Sequence, residues 1–376
     1  MAYDPIQEDC LRLILGTMQR EHIYPLENAP FIESCLQSYN HDPASLIKTD
    51  RDRSFHLVTL ATETIDYRLP FAQDDEAADR VAAEAEAQLR EACELDPGNW
   101  DARRMLAAVE AESNDLYVGY LLDHRAEVEA DYTKMTSAAH NVYEREFANG
   151  FGRRPLIRWL AALSARALVA GQYRLALDAA EDCLTFAPDD PADVRLTAML
   201  AMAKLEYRRE DLRRFRQKHA ASYRSPLPLR RRHHLAEKTQ DAWELLSELT
   251  IAYHELDFAG ATRALRTILQ TYPQGAEALY FQAEFPDGVF GRVNVEPGSE
   301  DELVLAVSEA TPLFQEGLGA PDNAGLAVWI ATHELVQEAM QRSAQQQIAH
   351  GAADTGGARW NPGNANGGGM AAGGDN

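Results

Sequence analysis

Apolar and polar residues alternate along most of the chain with a period near that of an α-helix, which gives each helix one apolar stripe. The pattern is sharpest from Arg154 to Pro191. Leu156, Trp159, Leu160, Leu163 and Ala167 recur at three- and four-residue steps and predict one helix. Tyr173, Ala176, Leu177, Ala180, Cys183 and Leu184 predict a second. Gly171 and Gln172 separate them, because glycine accepts the left-handed backbone that ends a helix, and Pro188 marks the exit. Ala176 and Ala180 are small enough for the two backbones to approach closely.

Before this hairpin, Asp4 can cap a helix opened by Pro5, with Ile6, Cys10, Leu11, Ile14 and Met18 as its stripe. A second helix is predicted over 30–39, and a third over 43–65 with the charged run 49–53 interrupting it. Residues 73–76 form an acidic break, and the Ala/Glu-rich composition from residue 77 favours helix. Ala92, Leu95 and Pro97 close one unit, Asn99 caps the next helix, and Leu106 and Ala107 form its Leu–small pair. Asn114 and Asp115 turn into a helix over about 116–132. Residues 137–151 lose the period, and 149–152 read as a loop.

After the hairpin, Asp190 and Pro191 are expected as cap and first-turn proline of a helix carrying Val194, Met199, Met202 and Leu205. Residues 207–219 would be its antiparallel partner. Another hairpin is expected over 242–275, then a helix over 276–285 and a loop over 286–297. Ser299 and Glu302 form a capping box for a helix to about residue 316, and 317–323 break it. A last helix over 324–347 carries Leu326, Ile330, Leu335, Val336 and Met340. Residues 351–376 are rich in Gly, Ala and Asn and cannot bury enough surface to offset chain entropy.

The central hairpin resembles the tetratricopeptide repeat, a helix–turn–helix unit of roughly 34 residues. Gly171 matches the turn glycine, Tyr173 the aromatic that follows, Ala176 the small residue at the helix crossing, and Pro188 the terminal proline. Leu160 stands where the family favours Trp and Leu163 where it favours Leu, while Ser164, Ala180 and Cys183 depart from the pattern. The junction at 87–108 is similar, as are Phe258, Ala261, Leu265, Ile268 and Pro273, with Asp257 in place of the usual turn residue. The spacings between Pro97, Pro188 and Pro273 are not multiples of the unit, so insertions or degenerate units intervene.

The resemblance implies an all-α, irregular right-handed solenoid. Its expected parts are an N-terminal helical cap (1–75), the repeats (76–285), a C-terminal helical cap (286–348) and a disordered tail (349–376). It also implies a concave groove lined by the first helix of each unit. Carried across, the groove positions are Arg104 and Ala108, then Arg158, Ala161, Ala165 and Val169, then Arg195, Met199 and Met202. The asparagines of the family's carboxylate-clamp subset are absent at Ala108, Ala165 and Met199.

Charge narrows the partners. With 36 Lys and Arg against 59 Asp and Glu, the net charge is −23, which opposes general binding to nucleic acid or anionic membranes. The exception is a basic segment from Arg208 to Lys238, including Arg213, Arg214, Arg216, Arg230, Arg231 and Arg232. It reads either as a docking site for an acidic partner or nucleic acid, or as a solvated helix and Pro-rich loop paired with the protein's own acids.

Catalytic patterns are incomplete. His254-Glu255 and His333-Glu334 begin H-E-x-x-H, but Phe258 and Gln337 stand where the second histidine belongs. There is no phosphate-binding G-x-x-x-x-G-K-[ST] and no G-x-S-x-G elbow. Cys10, Cys93 and Cys183 fall in helical patterns as small buried hydrophobes, Cys35 fits less clearly, and no C-x-x-C occurs, which suits a reducing cytoplasm. No secretory signal and no membrane-spanning apolar run are visible. The expectation is a non-catalytic scaffold, with no cofactor or metal, that presents its groove to an unidentified protein or peptide partner. A homo-oligomer is a further option. The alternative is a regulatory or nucleic-acid-associated protein using Arg208 to Arg232, and a third option is an enzyme whose site gathers dispersed residues.

Overall fold

A helix with one apolar stripe is stable only when that stripe meets another, and this chain meets the need by pairing consecutive helices. In a computed structural model the described residues are 4–23, 28–223, 240–282, 295–314 and 325–355, with side chains to 345. All regular structure among them is helical and none is strand.

The N-terminal part holds α1 (Pro5–Glu21), α2 (Ala29–His41), a 3-10 turn (Pro43–Leu46) and α3 (Asp50–Glu63). Next come α4 (Asp75–Leu95), α5 (Trp100–Glu110), α6 (Asn114–Ser137) and the short α7 (Val142–Phe147). The centre holds α8 (Arg154–Val169), α9 (Tyr173–Phe186), α10 (Val194–Lys204) and α11 (Arg209–Lys218). The C-terminal part holds α12 (Ala242–His254), α13 (Phe258–Thr271), α14 (Ala276–Phe281), α15 (Glu300–Glu309), α16 (Thr311–Phe314), α17 (Gly325–Thr332) and α18 (Glu334–Thr355).

Three pairs, α3–α4, α8–α9 and α12–α13, pack along their lengths. A second set of contacts joins α5 to α8, α8 to α10, α10 to α12, and α12 to α15, so alternate helices stand side by side. One large core runs from Trp100 to Val336, and two smaller cores serve the N-terminal helices.

The α8–α9 hairpin shows how local chemistry sets this packing. Gly171 takes φ +76°, and the amides of Gly171 and Gln172 bond back to Leu168 and Ala167, closing the end of α8. Ala176 is fully buried at the crossing. Its carbonyl accepts a 2.8 Å hydrogen bond from the Ser164 hydroxyl, so the serine that departs from the repeat pattern is satisfied there. Trp159 is also fully buried; it meets Trp100 edge-to-face at 5.6 Å and donates to the Leu121 carbonyl at 2.8 Å.

Several expectations need correcting. The buried stripe of α1 is Cys10, Leu13, Ile14 and Met18, while Ile6 and Leu11 face solvent. The charged run 49–53 starts a helix instead of interrupting one: Thr49 and Asp52 form a capping box for α3. Residues 149–152 are no open loop but part of a wide helical turn, Ala148–Gly152. Helix α6 extends well past the expected 116–132, to Ser137. Pro191 does not open α10; both oxygens of Asp190 reach forward to the amides of Val194 and Arg195, and the helix begins at Val194. Helix α15 stops at Glu309, and Glu302 reaches the amide of Gly298, not that of Ser299, so half of the expected capping box forms. The last helix is split at His333, and α18 runs on to Thr355. The expected loop at 286–294, the break at 317–323 and the tail from 356 lie outside the described residues.

Candidate functional site

The side-by-side helices enclose a cleft of about 970 Å³. Helix α5 contributes Arg104 and Ala108, and α8 contributes Arg158, Ala161, Ala165 and Val169, all of them expected groove positions. From α10 the lining residues are Val194, Thr197 and Leu200; Ser308 and Glu309 of α15 and Thr311 and Pro312 of α16 form a further wall. The alanines make this space, since each stops at Cβ where a longer side chain would fill the gap between helices.

Arg195, Met199 and Met202, the expected contribution of α10, do not line it. Helix α10 is packed by α8, α9 and α12, so Met199 and Met202 are buried core residues. Arg195 turns back on the preceding loop and pairs with Asp190 at 3.2 Å and Asp193 at 2.5 Å.

Behind the arginine end of the cleft lies a buried charge network. Arg158 donates to Asp101 at 2.7 Å and to Glu8 of α1 at 3.1 Å. Glu8 is also held by Arg12 and Arg154. Burial opposes ionisation of Glu8, but Arg158, Arg12 and Arg154 together outweigh it and hold the carboxyl down at about 2. Arg104 is less engaged: Asp101 is 3.9 Å away, and its buried Nε has no hydrogen-bond partner. The cleft therefore ends in one guanidinium fixed by carboxylates and one held less closely.

The basic segment was expected to carry Arg213, Arg214, Arg216, Arg230, Arg231 and Arg232. Arg230 to Arg232 lie outside the described residues. Arg213 and Arg214 are exposed on α11, and Arg214 reaches Asp211 at 3.0 Å. Arg216 is tied to Glu244 at 2.6 Å, Arg209 to Asp257 and Glu255, and Lys218 to Glu181. Much of the described basic charge is thus matched by acids on α9 and α12 and in the α12–α13 turn.

Sequence reasoning missed a second cluster, where the α9–α10 loop, the 3-10 turn Ala220–Tyr223 and the first turns of α12 and α15 converge. Asp190, Asp193, Asp241 and Glu244 gather there around Arg195 and Arg216, and Glu302 adjoins Asp241. The acids are scattered over more than a hundred residues and carry no spacing signature; only Asp190 and Asp193 beside Arg195 were legible as a local pair.

The four cysteines are free thiols; Cys35 is buried, Cys93 is half-exposed, and burial pushes Cys183 up to about 12. Among the described residues, no three His, Cys, Asp or Glu side chains are placed to hold a metal ion, and no helix is long and apolar enough to cross a membrane. No protein-family model matches the chain, and neither a curated protein nor a solved structure matches it.

Proposed function

We propose that the chain is an irregular, right-handed tetratricopeptide-like solenoid that acts without catalysis, receiving a partner protein or peptide in the cleft between α5, α8, α10 and α15. The observation that carries this reading is the cleft's lining: a floor of Ala108, Ala161 and Ala165 with Arg104 and Arg158 at one end. Small residues leave room for a partner's apolar side chains, and the guanidiniums offer charge-assisted hydrogen bonds. Helices packed in a row keep that surface in place, which lowers the ordering cost of binding. Four free thiols fit a reducing compartment such as the cytoplasm.

The nucleic-acid alternative draws less support, because Arg209, Arg216 and Lys218 already pair with the protein's own carboxylates. The test is a comparison of captured proteins from one cytoplasmic extract using wild type and Ala165→Arg, which fills the cleft. A partner lost with Ala165→Arg, while the unfolding midpoint is kept, supports the cleft. An identical captured set for both proteins refutes it.

A further inference from the structure

Three N-terminal helices meet on one carboxylate. Asp9 of α1 is almost wholly buried, and its Oδ2 accepts from the Tyr39 hydroxyl of α2 at 2.8 Å. The same oxygen lies 2.7 Å from Nδ1 of His56 on α3. Oδ1 is buried and has no hydrogen-bond partner among the described residues. A carboxylate offers only acceptors, so Nδ1 of His56 carries the hydrogen and donates it. The neutral ring then keeps its lone pair on Nε2, which makes no hydrogen bond among the described residues. The His56 side chain is 16% exposed, and Nε2 is within reach of solvent. One turn earlier on α3, the exposed Arg53 forms a surface pair with Glu91 at 2.5 Å.

An imidazole held in one tautomer by a buried acid, with its other nitrogen open, is the arrangement of an activated nucleophile. We propose that His56 is a phosphoryl acceptor: Nε2 takes the group from a small donor with a phosphorus–nitrogen bond, Asp9 and Tyr39 position the ring, and Arg53 receives the phosphoryl oxygens. This site shares no residue with the cleft, so the inference goes beyond the binding reading and does not depend on it.

The bonds balance without a further reactant. Phosphoramidate carries its proton on nitrogen at neutral pH. As Nε2 bonds to phosphorus, the phosphorus–nitrogen bond breaks and ammonia leaves with its electron pair. The ring becomes cationic while its Nδ1 hydrogen stays donated to Asp9, and a buried carboxylate with one unpartnered oxygen stabilises that charge. Residues three apart on a helix are neighbours, so Arg53 can leave Glu91, an exposed pair of little worth, and hold the product oxygens. An acyl group would bring no such anionic oxygens to the guanidinium, which is why phosphoryl is the electrophile that fits.

The test is reaction of the full chain with phosphoramidate, followed by phosphorus-31 NMR and by mass spectrometry that locates the product. His22 and His41 are exposed and serve as internal references for ordinary imidazoles. His56 should react about tenfold faster than either, at Nε2, despite its lower exposure. A His56 that reacts no faster than these two, or that reacts at Nδ1, overturns the proposal. Arg53→Ala should slow His56 about threefold and leave the references unchanged; an unaltered His56 rate refutes the role of the guanidinium. Asp9→Asn, whose amide can donate to Nδ1, should bring His56 down to the reference rate. Nitrogen-15 NMR should then show the ring hydrogen moved to Nε2, a change that a merely structural Asp9 would not produce. Wild-type rate and tautomer in Asp9→Asn refute the positioning. Should that variant fail to fold, the comparison of three histidines in the wild type decides alone.

Discussion

Glu8 offers the sharpest energetic test of how the N-terminal helix is fastened to the rest of the chain. Its side chain is nearly inaccessible and accepts from three arginines, two of them on α8. A carboxyl with an ordinary value of 4.5, held at about 2, contributes about 3 kcal/mol to stability at neutral pH. Removing one partner of a buried ion pair costs a comparable ~3–5 kcal/mol, because the remaining charge is left uncompensated. Glu8→Gln should therefore lower unfolding free energy by about 3 kcal/mol at pH 7, measured by urea denaturation. The carboxyl is depressed in the folded state, so its contribution is complete above pH 4.5 and declines as pH falls toward 2. The gap between wild type and variant should shrink to roughly half by pH 3. A second substitution isolates the cause. Arg12 is buried and stacks 3.9 Å above the Phe55 ring, and Arg12→Met keeps much of that packing without the charge. The double variant should be more stable than Glu8→Gln alone. A Glu8→Gln protein within about 1 kcal/mol of wild type at pH 7, or a gap that ignores pH, refutes the reasoning.

Two further outcomes follow from packing and protonation. Ala176→Leu forces extra volume into the α8–α9 crossing, where Ser164 bonds its carbonyl, and should cost about 2–3 kcal/mol in the same denaturation assay. His333 fastens the start of α18: its Nδ1 accepts from the Leu335 amide at 3.2 Å, and Nε2 lies 3.1 Å from the Thr262 hydroxyl. Burial and Arg266 hold His333 below its ordinary 6.5, with Glu334 opposing, so the cap is kept above that range and lost on acidification. Amide protection at the start of α18, corrected for the intrinsic pH dependence of exchange, should fall in wild type as pH drops through and below the ordinary imidazole range, and His333→Asn, which caps without titrating, should remove that loss.

The helix pairs were legible because Gly171 and the apolar stripes on either side of it are local signals, readable within one turn. The cleft-lining positions of α8, Arg158, Ala161 and Ala165, came instead from the resemblance to the repeat family, and they lie away from the buried Trp159, Leu160 and Leu163. Helix α10 gave no such guide. Its sequence, VRLTAMLAMAK, is apolar all round because it is packed on several sides, so periodicity could not tell Met199 from Leu200. The charge networks were illegible for a different reason. Arg158 finds Glu8 150 residues away, and only the fold decides which of 59 acids meets which cation.

That long-range pairing bears on how the chain can be cut. A fragment beginning at residue 76 keeps every helix that borders the cleft, so it looks like a natural minimal unit. It would nevertheless leave Arg154 and Arg158 without the carboxylate that α1 brings to them. Such a fragment would uncover Arg154 and leave Arg158 with Asp101 but without Glu8, exposing positive charge that α1 covers in the longer chain.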